Sequence, residues 1–209
     1  MTRGSAPDET RAKLLAAAAE EIVQRGYSGA SLSRTAERIG LTKGAFSRHF
    51  PTKGSIVDAI VAAAAERGPG ILRVAQQTFP TSPIRTCILA IGGISAAAHA
   101  DPVLSAALLL VQDPAIDIVR VAPFRQLVAG LLRVPLHAAV EQEGYVLTMS
   151  VDDAVQFLVV VLTGFLVASR FVEDFGARQE PLFLQAALAA LGIVDAEEVV
   201  MDVLRQLVP

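Results

Sequence analysis

Apolar residues along this chain recur at helical spacing, and no run alternates β-branched with polar residues. Leu15, Ala18, Ala19 and Ile22 fall on one face of a helix that Asp8 can cap and Gly26 can stop. A second, short helix follows Ser31 and ends at Gly40. Leu32, Thr35, Ala36 and Ile39 share its apolar arc, and Ser33, Arg34, Glu37 and Arg38 take the outer one. A third helix covers about 43–50, and a fourth runs from Thr52 to about Glu66. "RGPG" at 67–70 then breaks the chain. Beyond it the pattern predicts helices from Pro83 to about His99, from Pro102 to about Asp113, and from near Pro123 to Gly144. Three more follow, from Ser150 (with Asp153 as a capping box) to Val172, from Pro181, and from Asp195 with Glu198. The expectation is an all-α protein of nine or ten helices in two domains, 1–67 and 68–209.

Composition supports helices and narrows the class. Apolar residues make up 53% of the chain, much of it alanine. The mean hydropathy of +0.49 raises the question of a membrane. The longest uncharged stretch, Ala154–Ser169, is shorter than the roughly 20 residues a spanning helix needs, and a buried core helix fits it better. The N-terminal residues lack the apolar run of a signal peptide, so a cytoplasmic protein is expected. A single cysteine, Cys87, excludes an internal disulfide and a multi-cysteine zinc site, and reads as core. His99 and His137 stand apart from any ligand cluster, so neither a metal nor a cofactor is expected. No glycine-rich nucleotide loop and no Gly-x-Ser-x-Gly is present. The acid pairs Asp152-Asp153, Glu173-Asp174 and Glu197-Glu198 lie at predicted helix ends. The chain is therefore not expected to be an enzyme.

Charge is unevenly spread. Residues 1–67 carry a net +3 and the remainder −6, and Lys53 is the last lysine. Between residues 31 and 53, Arg34, Arg38, Lys43, Arg48 and Lys53 face Glu37 alone. A basic module on an acidic body suits a polyanion. Two short helices joined by a tight Gly40-Leu41 turn, the second with a polar outer face, describe a helix-turn-helix. On that face lie Lys43, Gly44, Ser47 and Arg48, while Ala45, Phe46, His49 and Phe50 fill the remaining arc. Gly44 permits close approach to a groove, Lys43 can reach a base edge or phosphate, and Thr52 and Lys53 open a helix whose free N–H groups suit a phosphate. Arg3, in the N-terminal arm, could reach a minor groove or belong to a loose tail.

The residue order carries a resemblance. "ASLSRTAERIGLTKGAFSRHFPTKGSI" resembles the DNA-binding module of the tetracycline-repressor (TetR) family. The matching positions are Ser31, Leu32, Ala36, Gly40, Leu41, Thr42, Gly44, His49, Phe50 and Lys53, with Arg11, Leu15, Ala18 and Gly26-Tyr27 in the preceding helix and turn. The resemblance implies a DNA-contacting set of Ser31, Ser33, Thr42, Lys43, Gly44, Ser47, Arg48, His49, Thr52 and Lys53. It also implies a homodimer on a palindromic double-stranded operator, and a repressor released by a small-molecule inducer held in the helical body. Two positions depart from the family pattern. Ser47 replaces a tyrosine that contacts phosphate. Thr35 stands at an apolar position, where its hydroxyl is expected to bond back to the Ser31 carbonyl.

The body resembles the gamma-butyrolactone receptor branch through "ADPVLSAALLLVQD" (100–113), "APFRQLVAGLL" (122–132) and "AVEQEGYV" (139–146). Many such receptors carry a pocket tryptophan at the position of Leu127, whereas this chain has none. Two alternatives follow: a butyrolactone-type sensor, or a receptor-like regulator that answers another small apolar molecule or none. Ala154–Ser169 is apolar nearly all round, which calls for burial on more than one face and favours a two-fold partner. Gly92-Gly93 marks either a ligand approach or close helix packing. Pro135 should kink the long helix, and an apolar cavity is expected between Ile88, Leu127, Leu131, Val161 and Phe165.

Overall fold

The computed structural model describes residues 6–171 and 179–207. Arg3, Val172 and Glu173-Asp174 lie outside the described residues. Among those described, eleven helices and no strand are present: α1 (Ala6–Gly29), α2 (Leu32–Arg38), α3 (Lys43–His49), α4 (Lys53–Ala65), α5 (Gly68–Thr78), α6 (Pro83–Ala100), α7 (Pro102–Leu110), α8 (Ile118–Gln142), α9 (Val151–Phe171), α10 (Glu180–Ala190) and α11 (Ala196–Leu207). The all-α expectation is met. Ten of these helices answer to predicted ones; the unforeseen helix is α5. The chain breaks between α4 and α5, and "RGPG" opens α5, because proline is tolerated in a first turn, where its missing N–H has no helical partner.

The ends obey local chemistry. Gly26 sits at φ +70° and ψ 168° inside α1, which breaks the helix where a stop was expected. The Ser150 hydroxyl accepts from the Asp153 N–H at 3.1 Å and donates to the Asp153 carboxylate at 2.6 Å, closing the cap of α9. Asp101 accepts from the Val103 N–H at 2.8 Å, with Pro102 opening α7. α8 begins at Ile118, ahead of Pro123, and continues uninterrupted through the buried Pro135, so that proline does not divide it.

The chain forms two compact units. The first comprises residues up to Glu66 together with Ala97–Arg125; the second comprises Arg67–Ala96 and the chain from Gln126 onward. Residues 97–125, which carry α7 and the first turns of α8, thus cluster with the N-terminal helices. α7 packs against α1 and α4. The core of this unit includes Leu14, Ala18, Ile22, Phe46, Phe50, Ile56, Ile60, Leu104 and Leu108, all buried. Arg120 in the first turn of α8 reaches α4, where its guanidinium meets both Asp58 carboxylate oxygens at 2.6 and 2.7 Å.

In the second unit the core includes Cys87, Ile91, Leu132, Leu136, Leu158, Leu188, Val199 and Val203. α6 and α9 have the length and hydropathy of spanning helices, yet 56% and 44% of those stretches are buried in the protein, as in core helices. A Cβ on Gly93 would stand 2.9 Å from the Ile71 side chain of α5, so close packing accounts for this glycine; Gly92 faces open space. A carboxylate caps α6 from a distance: Glu143 accepts from the Ser82 hydroxyl at 2.8 Å and from the Ile84 N–H at 2.7 Å. Arg85 joins this cluster by donating to Asp202 of α11 at 3.1 Å. The Arg85 hydrogen bond holds the Asp202 carboxyl below its ordinary range. Tyr145 donates to Asp195 at 2.8 Å, and burial together with that bond raises its phenol pKa.

Two outcomes follow. Glu143→Ala leaves the Ile84 N–H unpaired in a buried setting and should cost about 1–3 kcal/mol, a fall of several degrees in the thermal midpoint. Burial pushes the Cys87 thiol up to about 12, so about one molecule in ten thousand is thiolate near pH 8. A disulfide reagent should therefore label Cys87 only after denaturant unfolds the protein, and rapid native labelling would contradict its burial.

Candidate functional site

α2, α3 and α4 owe their geometry to three side-chain caps and one left-handed residue. Ser31 caps α2, its hydroxyl accepting from the Arg34 N–H at 3.4 Å; Thr42 caps α3, accepting from the Ala45 N–H at 3.2 Å. Thr52 caps α4 reciprocally: it accepts from the Ser55 N–H at 3.0 Å, and Ser55 accepts from the Thr52 N–H at 3.2 Å. Between α2 and α3, Gly40 takes φ +72°, and the Leu41 N–H returns to the Ala36 carbonyl at 2.9 Å. A residue with a Cβ is strained there, so the turn needs glycine. The Thr35 hydroxyl donates to the Ser31 carbonyl at 2.9 Å, as its position inside the apolar arc suggested.

α3 is held from below. Phe46 and Phe50 are buried with rings 5.8 Å apart, and the Arg11 guanidinium lies 5.0 Å from the Phe50 ring centroid. The opposite face is free of such anchoring. Thr42, Lys43, Gly44 and Arg48 are exposed, and Lys43 and Arg48 carry no ion pair among the described residues. A Cβ on Gly44 would meet nothing nearer than the Thr42 hydroxyl at 3.9 Å, so internal packing does not call for this glycine. Thr52 is exposed as well, whereas Ser31, Ser33, Ser47, His49 and Lys53 are half-buried.

The remaining cations are occupied. Lys53 donates to the Ser28 carbonyl at 3.3 Å and lies 4.5 Å from the Tyr27 ring centroid. Desolvation lowers its pKa, against an opposing pull from Asp113. Arg34 is paired with Glu21 at 2.9 Å, and Arg38 with Glu20 at 3.2 Å. These two pairs were not legible in the local charge count, because their carboxylates come from α1. Among the described residues the basic stretch thus divides into two cations without ion pairs, one half-engaged lysine and two ion-paired arginines.

In the second unit, Val161 and Phe165 line an apolar cavity with Ile91, Leu158, Leu162, Phe183, Leu184 and the single charged residue Glu180. A water-sized sphere can occupy about 20 Å³ of it. The other three expected wall residues are not part of this cavity. Leu127 and Leu131 lie 2.9 and 3.3 Å from where a Cβ on Gly68 would sit, which places them against the start of α5, and Ile88 is buried in α6. Sequence reasoning missed α10 as a source of wall residues, since Glu180 and Phe183 lie outside the segment pairing it considered.

A pair of short capped helices with a tight turn and an exposed cationic face defines a helix-turn-helix protein. Residues 14–68 match the family model for bacterial regulatory proteins of the tetR family. Among solved structures, one from a study of the molecular basis for control of antibiotic production by bacterial hormones shares 28% identity over 90% of this chain and 99% of its own, with a TM-score of 0.61. A crystal structure of a gamma-butyrolactone receptor (ArpA-like protein) shares the fold at 22% identity, covering 95% and 96% of the two chains with a TM-score of 0.76. CprB from Streptomyces coelicolor, in complex with its operator sequence, shares it at 24% identity over 95% and 97%, with a TM-score of 0.69. No curated protein matches at a significant level. Over residues 14–68 the chain is thus similar to the bacterial regulatory proteins of the tetR family.

Gly44 offers a clean check on the exposed face. Gly44→Ala should melt no lower than the parent, because the Cβ meets no neighbour and alanine favours a helix by about 1 kcal/mol. A clear fall in melting temperature would mean that this face is packed internally.

Proposed function

We propose that the protein is a homodimeric transcriptional repressor of the cytoplasm. It grips a double-stranded operator through Ser31, Ser33, Thr42, Lys43, Gly44, Ser47, Arg48, His49, Thr52 and Lys53, and a small apolar inducer held in its helical body releases it. One observation carries the DNA interface. The face of α3 opposite Phe46 and Phe50 exposes Lys43 and Arg48, which carry no ion pair among the described residues, and adds a glycine that internal packing does not require. Lys43 suits a base edge or phosphate; Thr52 and Lys53 suit a backbone phosphate at the start of α4.

A second copy suits the α9 and α10 surfaces. Gln156, Val160, Gly164 and Val167 form an exposed stripe at helical spacing on α9, and Leu182, Phe183, Ala186 and Ala189 are exposed on α10. Apolar area of this kind in a water-soluble protein favours a protein partner, and a two-fold dimer presents two copies of α3 to a palindrome. The likeness to gamma-butyrolactone receptors supports an inducer of that class, and Ile88, Leu127, Leu131, Val161 and Phe165 remain the proposed contacts. The narrow cavity beside Val161 and Phe165 favours a second reading: a receptor-like regulator that answers a different small molecule or none.

Selection of bound duplexes from a random pool by the full-length protein tests the main reading. A palindromic sequence should emerge, and failure to enrich any sequence would overturn it. Lys43→Ala should lose about 1–3 kcal/mol of discrimination per contacted base while keeping its helicity. The Lys43, Arg48 and Lys53 cations of two protomers should neutralise about four to six phosphates, giving log K against log salt a slope of about −4 to −5. Adding a synthetic butyrolactone to the selected complex separates the two ligand readings: release supports a sensor of that class, and unchanged binding supports the alternative.

A further inference from the structure

Half of the cations in the helix-turn-helix are tethered to α1. One oxygen of the buried Glu21 carboxylate forms ion pairs with Arg34 Nε at 2.9 Å and Arg25 Nε at 3.4 Å, and accepts from the Ser31 N–H at 3.4 Å. Arg34 also donates to the Gly29 carbonyl at 3.1 Å. One turn of α2 further on, Arg38 donates to the Ala17 carbonyl at 2.6 Å and pairs with Glu20 at 3.2 Å. The arginine heads stay close to half exposed, so phosphates could reach them, yet each lies beside a carboxylate.

A paired charge attracts a polyanion weakly beyond the length of the pair, and salt screens the remainder within about 8–10 Å. Sequence-independent binding to duplex DNA grows with the number of phosphates that free cations neutralise, whereas discrimination comes from base contacts. Resting on the DNA-binding reading above, we propose that Glu20 and Glu21 are specificity-determining residues that do not themselves touch DNA. By holding Arg38 and Arg34, they withhold the cations of α2 from the phosphate backbone. Non-specific affinity then rests on Lys43, Arg48 and Lys53, and a larger share of operator affinity comes from base readout.

Full-length wild type, Glu20→Gln, Glu21→Gln and Glu21→Gln/Arg34→Gln are compared on a random-sequence duplex across a salt series, with a thermal melt of each. Glutamine keeps the shape and an acceptor oxygen but removes the negative charge. Each single variant should bind the random duplex about tenfold more tightly at low salt, with a slope steeper by about one to two, one extra phosphate per protomer. Removing the Arg34 charge as well should return affinity and slope to the wild-type values, which a merely structural role for Glu21 would not produce. Glu20 is half exposed, so Glu20→Gln decides the matter if Glu21→Gln melts early. Wild-type affinity and slope in a Glu20→Gln protein of normal melting would overturn the proposal while leaving DNA binding intact. A wild type without salt-dependent binding to any duplex would overturn the DNA-binding reading, and this proposal with it.

Discussion

The burial of Phe46 and Phe50 under α3 is the constraint on which the exposed site depends. A seven-residue helix is too short to be stable alone, so its position comes from what it packs against. Burying the two rings contributes about 1.5–3 kcal/mol each, and their place on one arc of α3 dictates which residues point away. Lys43, Gly44 and Arg48 are exposed because Phe46 and Phe50 are not. The caps at Thr42 and Thr52 and the left-handed Gly40 fix where the helix starts and how it is entered. Removing those rings would leave the charges without a platform.

Charge in this unit is organised by a different rule from shape. Arg34 and Arg38 belong to α2 by sequence but to α1 by electrostatics, since Glu21 and Glu20 hold them. Lys53 is drawn to the Ser28 carbonyl and the Tyr27 ring, where partial desolvation lowers its pKa. In the second unit, polar side chains serve as staples between helices. Glu143 caps α6 from beyond the end of α8, Arg85 ties α6 to α11, and Tyr145 reaches Asp195 ahead of α11.

The helix-turn-helix was legible because its signals are local. Caps at Ser31, Thr42, Thr52 and Ser150 and the stop at Gly26 are written within three or four residues of where they act. Where a signal has two meanings, legibility fell. The proline of "RGPG" reads equally as a breaker and as a first-turn residue, and α5 takes the second sense. Pairings across long separations were invisible: Arg34 with Glu21, Ser82 with Glu143, and α10 beside α9 at the narrow cavity. The closeness of Leu127 to Gly68, whose lack of a side chain leaves room for it, could not be read from its place on α8. Periodicity says which face of a helix is buried and nothing about which helix covers it.

Hydrogen–deuterium exchange of the full-length protein, with and without a duplex selected from a random pool, tests the central claim most directly. Added protection is expected in peptides spanning Thr42 to Lys53, with no comparable change in peptides from α11. Protection confined to other segments, or none at a concentration that saturates the duplex, would contradict the assignment of the α3 face as the DNA-binding surface.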